Sequence, residues 1–238
     1  ADRRLSNIRL AVLSDPAAEA QAIALALRET IETAAKTAAL LTPDRALAGR
    51  VSALLARWGI EADDSAGKPL TSTPAGTLLL AIASAAAEEL APVALLAMLK
   101  HPLVGGEDKE RLDWLEAVRL LDLKLRGPRP APGIAGLDTQ LGALREWQLV
   151  RRRVEKLDGA LAAPISLAAF AAFLSDIAEA LAGDRAWRGP DGRMAAELLS
   201  ELQASGAALE LNVAPEDAVP LLRQLFDARA VRPPYGGH

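Results

Sequence analysis

The sequence contains no cysteine, which excludes disulfides, thiolate nucleophiles and cysteine-ligated zinc. Histidine is nearly as scarce, since only His101 and His238 occur. Neither belongs to a His-Glu-x-x-His motif, and no Gly-x-Ser-x-Gly sequence is present, so zinc and serine hydrolases have no support. His101 follows an expected helix, where we expect it to cap carbonyl groups or face water. The sequence therefore predicts no catalytic site, no metal and no cofactor.

Aromatic residues and long apolar runs are also few. Aromatics make up 3% of the 238 residues, whereas 51% are hydrophobic, so the core must consist mainly of leucine, alanine and valine. The longest apolar run, 77–87, is shorter than the roughly 18 residues of a membrane span, and no secretory signal precedes it. We therefore expect a cytoplasmic protein without a membrane partner. The chain begins at Ala1 and ends with RPPYGGH, which predicts a segment of a longer protein.

The first third of the chain alternates between two kinds of pattern. Short β-like runs occupy 7–14, 37–43 and 60–65, the last of them weak. Between them, 19–35 and a stretch for which Asp44 is a plausible N-cap repeat apolar residues at helical spacing. Strand and helix in alternation predict a parallel sheet.

From Pro74 onward the pattern is helical throughout. Thr73 is a plausible N-cap for the first of these helices, and proline suits the first turn. A linker rich in proline and glycine, 127–138, separates two groups of helices. The expected helices cover approximately 74–90, 92–101, 108–125, 138–158, 166–182, 192–205 and 215–229.

The stretch GIEADDSAGKPL, residues 59–70, superficially resembles a phosphate-binding loop. A P-loop needs four residues between its glycines and a Ser or Thr after the Gly-Lys pair, and here Pro69 follows Lys68. Asp63 and Asp64 would also repel a polyphosphate. An active NTPase is therefore the less favoured alternative, and the stretch fits better as a boundary between two domains.

Carboxylates cluster at Asp63-Asp64, at Glu88-Glu89 and at 107–110. A metal or acid–base site would need them to converge in a cleft. The acids of 107–116 instead alternate with Lys109, Arg111 and Arg119 at helical spacing. This alternation indicates a solvated, ion-paired helix face.

A basic cluster lies between 122 and 156 in an otherwise acidic chain, whose net charge is −4. On the expected helix, one apolar face carries Trp147, Val150, Val154 and Leu157. Another face carries Arg145, Arg152 and Lys156, seven and four residues apart. A linear basic stripe of this kind suits a phosphate backbone, and Arg126 and Arg129 could extend it. A solvated face or a contact with a partner protein is the alternative.

Several strings together are similar to one known family. EAQAIALALRE (19–29), the stretch 37–76 with GIEADDSAGKPL, and PVALLAMLKHPL (92–103) resemble AddB, the RecC-like subunit of the bacterial AddAB helicase–nuclease. LKLRGPRPAPGIAGL (123–137) and the final RPPYGGH (232–238) resemble the same family, in its alphaproteobacterial form. The resemblance covers nearly the whole chain.

This resemblance implies an inactivated superfamily I helicase module within a DNA-break repair complex. Residues 1–73 would be part of a RecA-like 2A domain with a parallel sheet, 74–230 an inserted helical 2B-like domain, and 231–238 the return toward 2A. The fold class would thus be mixed but mainly α. In such proteins the helicase-like region is associated with recognising a recombination hotspot in single-stranded DNA.

The resemblance also implies a role and partners. The segment would be a non-catalytic scaffold that guides DNA, associated with the nucleoid, with an AddA-like subunit as protein partner. DNA, as a single strand or a duplex end, would contact Arg126, Arg129, Arg145, Arg152 and Lys156. The alternative is a helical protein-interaction module without direct DNA contact.

Overall fold

The computed structural model describes residues 8–232, with the backbone alone for Leu209, and the chain is mainly helical. It divides into two compact units, Ala1–Asp64 and Ser65–His238. The first unit contains two α-helices among its described residues, α1 (Pro16–Ile31) and α2 (Arg45–Ala56). The second contains eight: α3 (Pro74–Ala87), α4 (Pro92–Leu99), α5 (Asp108–Leu125), α6 (Gly133–Leu141), α7 (Arg145–Val154), α8 (Leu167–Ala182), α9 (Gly189–Leu209) and α10 (Ala218–Asp227).

The first unit is a pair of helices packed through small and branched side chains. Aspartate side chains cap both helices, Asp15 at α1 and Asp44 at α2, as expected for Asp44 from the sequence. Apolar residues at helical spacing then face each other across the pair. The buried contact consists of Ala20 and Ala24 of α1 and Leu47, Val51 and Leu55 of α2.

The parallel sheet expected in this unit is not shown by the structure. Residues 8–13, 36–42 and 60–64 form no strand, and Asn7 lies outside the described residues. Ile8, Leu10 and Val12 alternate as in a strand but are 66%, 91% and 88% exposed. A strand needs a neighbouring backbone to pair its N–H and C=O groups, and no strand among residues 8–232 pairs with these segments. Local alternation was therefore insufficient to predict a sheet.

The second unit is built around α3. The run TLLLAIASAAA is apolar on every side, and a helix that is hydrophobic all round is a buried one. Thr73 caps α3 as expected, since its Oγ1 accepts from the amide of Gly76. Helices α4, α8, α9 and α10 pack against α3, which places it at the centre of this unit's core.

Two short antiparallel ladders fasten distant parts of the second unit. In one, β1 (Lys68–Pro69) pairs with β4 (Ala230–Val231), with Lys68 opposite Val231. Its continuation is a hydrogen bond from the Leu70 amide to the Arg229 carbonyl, 2.8 Å long. In the other, β2 (Ile165–Ser166) pairs with β3 (Asn212–Val213). The first ladder holds the beginning and the end of the helical unit side by side, and residues 233–238 of the expected return lie outside the described residues.

The helix expected over 138–158 is two helices, because the chain breaks at 142–144 between α6 and α7. The linker predicted over 127–138 is also shorter than expected, since α6 begins within it at Gly133. Gly133 has φ = +78°, and the amide of Ile134 donates to Asp158 Oδ1 at 3.0 Å. The Asp158 carboxylate, 24 residues away, thus accepts a hydrogen bond from a backbone N–H group in the first turn of α6. No local sequence signal indicates this contact.

Within residues 8–232, none of the helices combines the length and the apolar character needed to cross a membrane.

Candidate nucleic-acid interface

Three basic residues lie on α7 or in the turn after it, on the side opposite the buried face of the helix. Trp147, Val150 and Val154 are fully buried, and Leu157 continues that face in a 3-10 turn, as the sequence predicts. On the opposite side lie Arg145, Arg152 and Lys156, all exposed, which we call the basic stripe. Because α7 packs against α5 and α8 on its apolar side, the stripe faces solvent.

Among the described residues, none of the three side chains of the basic stripe forms an ion pair or hydrogen bond. The other basic side chains of the helix, those of Arg151 and Arg153, contact the protein itself. Arg151 pairs with Asp138 at 3.0 Å and lies 3.7 Å from Glu155, so it belongs to the protein's own contacts. The stripe, unlike Arg151, is therefore available to a ligand.

Asp138 on α6 fixes the position of α7. Its Oδ1 accepts from Trp147 Nε1 at 2.7 Å and from Arg151 Nε at 3.0 Å, while Oδ2 accepts from Arg151 Nη2 at 3.1 Å. The Arg151 guanidinium, and then the Trp147 indole N–H, lower the pKa of Asp138 because both stabilise the ionised carboxylate. One carboxylate thus holds both a buried and a surface residue of the helix that carries the stripe.

The two remaining candidates, Arg126 and Arg129, differ from each other. Arg126 pairs with Asp122 one turn earlier, at 3.1 Å, and Asp122 also accepts from Lys100 at 2.7 Å. Hydrogen bonds from Arg126 and Lys100 lower the pKa of Asp122 to about 2. Arg129 lies exposed in the loop after α5, with no ion-pair partner among residues 8–232. Arg126 is therefore engaged in a surface ion pair with a carboxylate that it shares with Lys100, whereas Arg129 resembles the stripe residues in being available.

Arg153 has a role that sequence reasoning missed. Its guanidinium lies 4.8 Å from the centre of the Trp114 ring, in a cation–π contact between α7 and α5. Beside this contact is an open groove of about 570 Å³, whose walls include Glu110, Asp113 and Glu179. The position of Arg153 on the helical wheel, between the stripe and the buried face, is the signal that would have separated it from the stripe.

The carboxylates considered from the sequence do not converge. Asp64 forms a bidentate pair with Arg45, at 3.0 and 2.6 Å. Glu107 pairs with Arg188 at 3.1 Å and with Arg185 at 3.4 Å. Within the part of the chain that the structure describes, no three metal-ligating side chains come together.

Along 107–116 the sequence predicts that charged residues pair with each other on the helix, and for Arg111 this prediction is wrong. Arg111 donates to the carbonyls of Val104 and Lys100, and Arg185 to those of Gly106 and Pro102. These arginines hold the loop between α4 and α5, so Arg111 serves tertiary structure and not a neighbour one helical turn away, whereas Lys109 and Arg119 are exposed and form no ion pair among residues 8–232. Lys68 likewise lies in β1 and not at the start of a helix, where a phosphate-loop lysine would lie.

His101 is half-buried and hydrogen-bonded, so the expectation that it caps carbonyls or faces water is wrong. Its Nδ1 accepts from the amide of Leu103 at 3.3 Å, and Nε2 then carries the proton toward Thr77 Oγ1 at 3.0 Å. Burial, and then the nearby Arg111, lower the pKa of His101 from 6.5 to about 4. The imidazole is therefore neutral at pH 7 and links α3 to the loop after α4.

We expect this arrangement to make the second unit acid-sensitive between pH 6.5 and about 4. In that window the unfolded chain protonates His101 while the folded chain does not, so the free energy of unfolding falls as the pH falls. Allowing for partial exposure, the loss is about 2 kcal/mol. His101→Asn keeps an acceptor for the Leu103 amide but does not titrate. Urea unfolding of both proteins across this window should show the variant losing less stability, and parallel curves would contradict this assignment.

Comparison with models of protein families, with curated proteins and with solved structures gives no match for this chain. The function must therefore be argued from the residues described above.

Proposed function

We propose that this chain is a non-catalytic, helicase-like segment of a protein that repairs and recombines broken DNA, as its resemblance to AddB implies. In this role it acts as a scaffold and guides DNA within a helicase–nuclease complex, in the cytoplasm at the nucleoid. The observation that carries the proposal is the basic stripe, three exposed cations without a partner among the described residues: two lie on α7, which Asp138 fixes, and Lys156 lies in the turn after it. Cations arranged in this way neutralise phosphates and release counterions from DNA.

The ladder of β1 and β4 supports the interpretation of the helical unit as an inserted domain. A domain inserted into another must leave and rejoin its host at neighbouring points, and Lys68 and Val231 are paired residues. The Thr71 hydroxyl also donates to Asp227 Oδ1 at 2.6 Å, which strengthens the same junction. These contacts lie close to both boundaries, 73 and 231, that the sequence predicts.

The first unit fits the proposed RecA-like portion in its order of elements. Residues 8–13 precede α1 and residues 36–42 precede α2, and neither segment forms regular secondary structure. Leu10 and Leu41 are 91% and 99% exposed, so these segments have apolar surface to bury. We propose that they pair with strands of a longer protein to complete a parallel sheet, and that an AddA-like subunit is the protein partner of the assembled complex.

The proposal is tested by reversing the stripe. We expect the combined substitutions Arg145→Glu, Arg152→Glu and Lys156→Glu to weaken DNA binding on the order of a hundredfold at low salt, because three attractive phosphate contacts become repulsive. The three side chains are exposed and unpaired among the described residues, so stability should change little. Fluorescence anisotropy with labelled DNA gives the affinity, and circular dichroism checks folding.

A matched control removes the effect of net charge. Lys68→Glu, Arg193→Glu and Arg223→Glu change the same residue types at exposed positions on β1, α9 and α10. This control should retain most of the DNA affinity of the unmodified chain, apart from a general loss that both variants share. Equal losses in the two variants, or no measurable DNA binding by the unmodified chain at low salt, would reject the proposal.

A second function, a helical protein-interaction module, is favoured by a different observation. The outward face of α5 exposes Leu112, Leu120 and Leu123, by 67%, 40% and 51%. Exposed leucines near one another on a helix suit a partner protein better than a phosphate backbone. If reversal of the stripe leaves DNA binding unchanged, this function replaces the first.

A further inference from the structure

We infer that the basic stripe binds the backbone of duplex DNA in preference to single-stranded DNA. The inference rests on the proposed function, because it names the form of DNA that the same residues take. It chooses between the single strand and the duplex end, both of which the family resemblance allows. The reason lies in the aromatic residues that surround the stripe.

Proteins that hold single strands without sequence preference stack successive bases on exposed aromatic rings, each worth about 1–3 kcal/mol. The tryptophans nearest the stripe do not offer such rings. Trp147 is completely buried and its indole N–H is bound to Asp138. Trp114 is 3% exposed, and Arg153 lies over its ring. A base cannot stack on Trp147 without unfolding this part of the protein, and it could reach the Trp114 ring only by displacing Arg153.

Within its described residues, the rest of the helical unit supplies no substitute. Phe170 and Phe226 are fully buried, and Phe173 and Trp187 are half-buried and pack against the core. Among residues 8–232, Trp58 is the one aromatic residue with more than a third of its surface exposed, and it belongs to the other compact unit. The stripe therefore offers positive charge but no aromatic ring on which a base could stack. Positive charge alone favours the form of DNA whose phosphates lie closer together.

Duplex DNA has the higher density of phosphate groups. It carries about one negative charge per 1.7 Å of axis, whereas each strand by itself carries one per 3.4 Å. Arg145 and Arg152 lie two helical turns apart on one rigid helix, about 10 Å along its axis, and Lys156 lies in the 3-10 turn that follows the helix. A fixed row of cations meets phosphates at any register along a stiff duplex. A flexible single strand would first have to be ordered along the same row, which opposes binding.

Nearby acids limit where the duplex can lie. Glu146 and Glu155 flank the stripe on α7, and Glu110, Asp113 and Glu179 line the groove beside Leu149. These carboxylates repel phosphates, so they restrict the backbone to the solvent side of the stripe. Contacts limited to phosphates carry no sequence information, and binding should therefore not depend on base sequence.

The test compares a duplex with a single strand of equal length and of mixed sequence, using the full chain and fluorescence anisotropy over a series of salt concentrations. We expect the duplex to bind about tenfold more tightly. Three phosphate contacts give a log–log salt slope near −2.7 on the duplex. Arg152→Ala should reduce the steepness by about 0.9, whereas Arg193→Ala, an exposed arginine on α9, should leave it unchanged.

The outcomes separate the two proposals. Equal or tighter binding of the single strand, still weakened by Arg152→Ala, would overturn the preference for duplex DNA and leave the proposed function intact. Duplex binding that differs strongly between two sequences would also overturn it, because it would require contacts with bases. Binding of neither DNA, or binding that Arg152→Ala does not affect, would overturn the proposed function and this inference with it. If either of these two results is obtained, polyglutamate binding that Arg152→Ala weakens would identify an acidic protein segment as the ligand.

Discussion

Trp147→Ala is expected to lower the free energy of unfolding by about 3–5 kcal/mol, the range for truncating a fully buried tryptophan. Two effects combine. The substitution leaves a cavity under α7, and it removes the indole N–H that Asp138 accepts at 2.7 Å. The helix that carries the basic stripe would then be held to α6 by the contacts of Arg151 with the same carboxylate. Urea denaturation followed by circular dichroism measures the loss.

Two further variants separate these effects. Trp147→Phe retains an aromatic ring in the core but cannot donate to Asp138, so it should cost less, about 1–3 kcal/mol. Leu149→Ala shortens a side chain on the same helix that is 51% exposed, and should change stability by no more than about 0.5 kcal/mol. A loss for Trp147→Ala no greater than that for Leu149→Ala would show that the indole is not part of the core.

Gly76→Ala is expected to destabilise the second unit by about 3 kcal/mol, at the upper end of the usual cost of overpacking. A Cβ atom on Gly76 would lie 1.8 Å from the Leu70 carbonyl oxygen, and backbone atoms cannot yield as a flexible side chain does. The same carbonyl accepts from the Thr73 amide at 3.1 Å and from the Thr73 hydroxyl at 2.8 Å. Moving Leu70 away would therefore break the turn that leads into α3.

The matched control for this substitution is Gly49→Ala in α2. Nothing lies within 4 Å of a Cβ at Gly49, and alanine favours a helix interior over glycine by about 0.5–1 kcal/mol. The two substitutions are chemically identical but should have opposite signs, which chemical denaturation of each variant resolves. A neutral or stabilising result at Gly76 would mean that Leu70 and the first turn of α3 are less tightly packed than the structure indicates.

Short-range features of the fold could be predicted from the sequence. The caps at Asp44 and Thr73, and the opposite faces of α7, follow from patterns within about four residues. Helix α5 occupies the range 108–125 that its periodicity predicts. For the candidate site, this was sufficient to place Arg145, Arg152 and Lys156 together on one exposed face.

Features that depend on residues far apart in sequence could not be predicted in this way. Asp138 removes Arg151 from the candidate site, and Trp114 engages Arg153 across 39 positions. Helix α6 begins within a stretch rich in proline and glycine, where a distant carboxylate, Asp158, accepts the amide of Ile134 in its first turn. The expected sheet is a case in which a local pattern was present but a distant partner was not shown. Apolar and polar residues that alternate over 8–13 form a strand only where a neighbouring strand exists.

The ladder of β1 and β4 also has a consequence for how the helical unit folds. Pro69 and Ala230 are partners although about 160 residues separate them, so their pairing closes almost the entire unit into one loop. Closing a flexible loop of that size costs about 4–5 kcal/mol in chain entropy, more than two residues of ladder can offset. The junction can therefore form only after the helices have packed and brought the two strands together. In the order of folding, the last feature to form is the one that joins the ends of the unit.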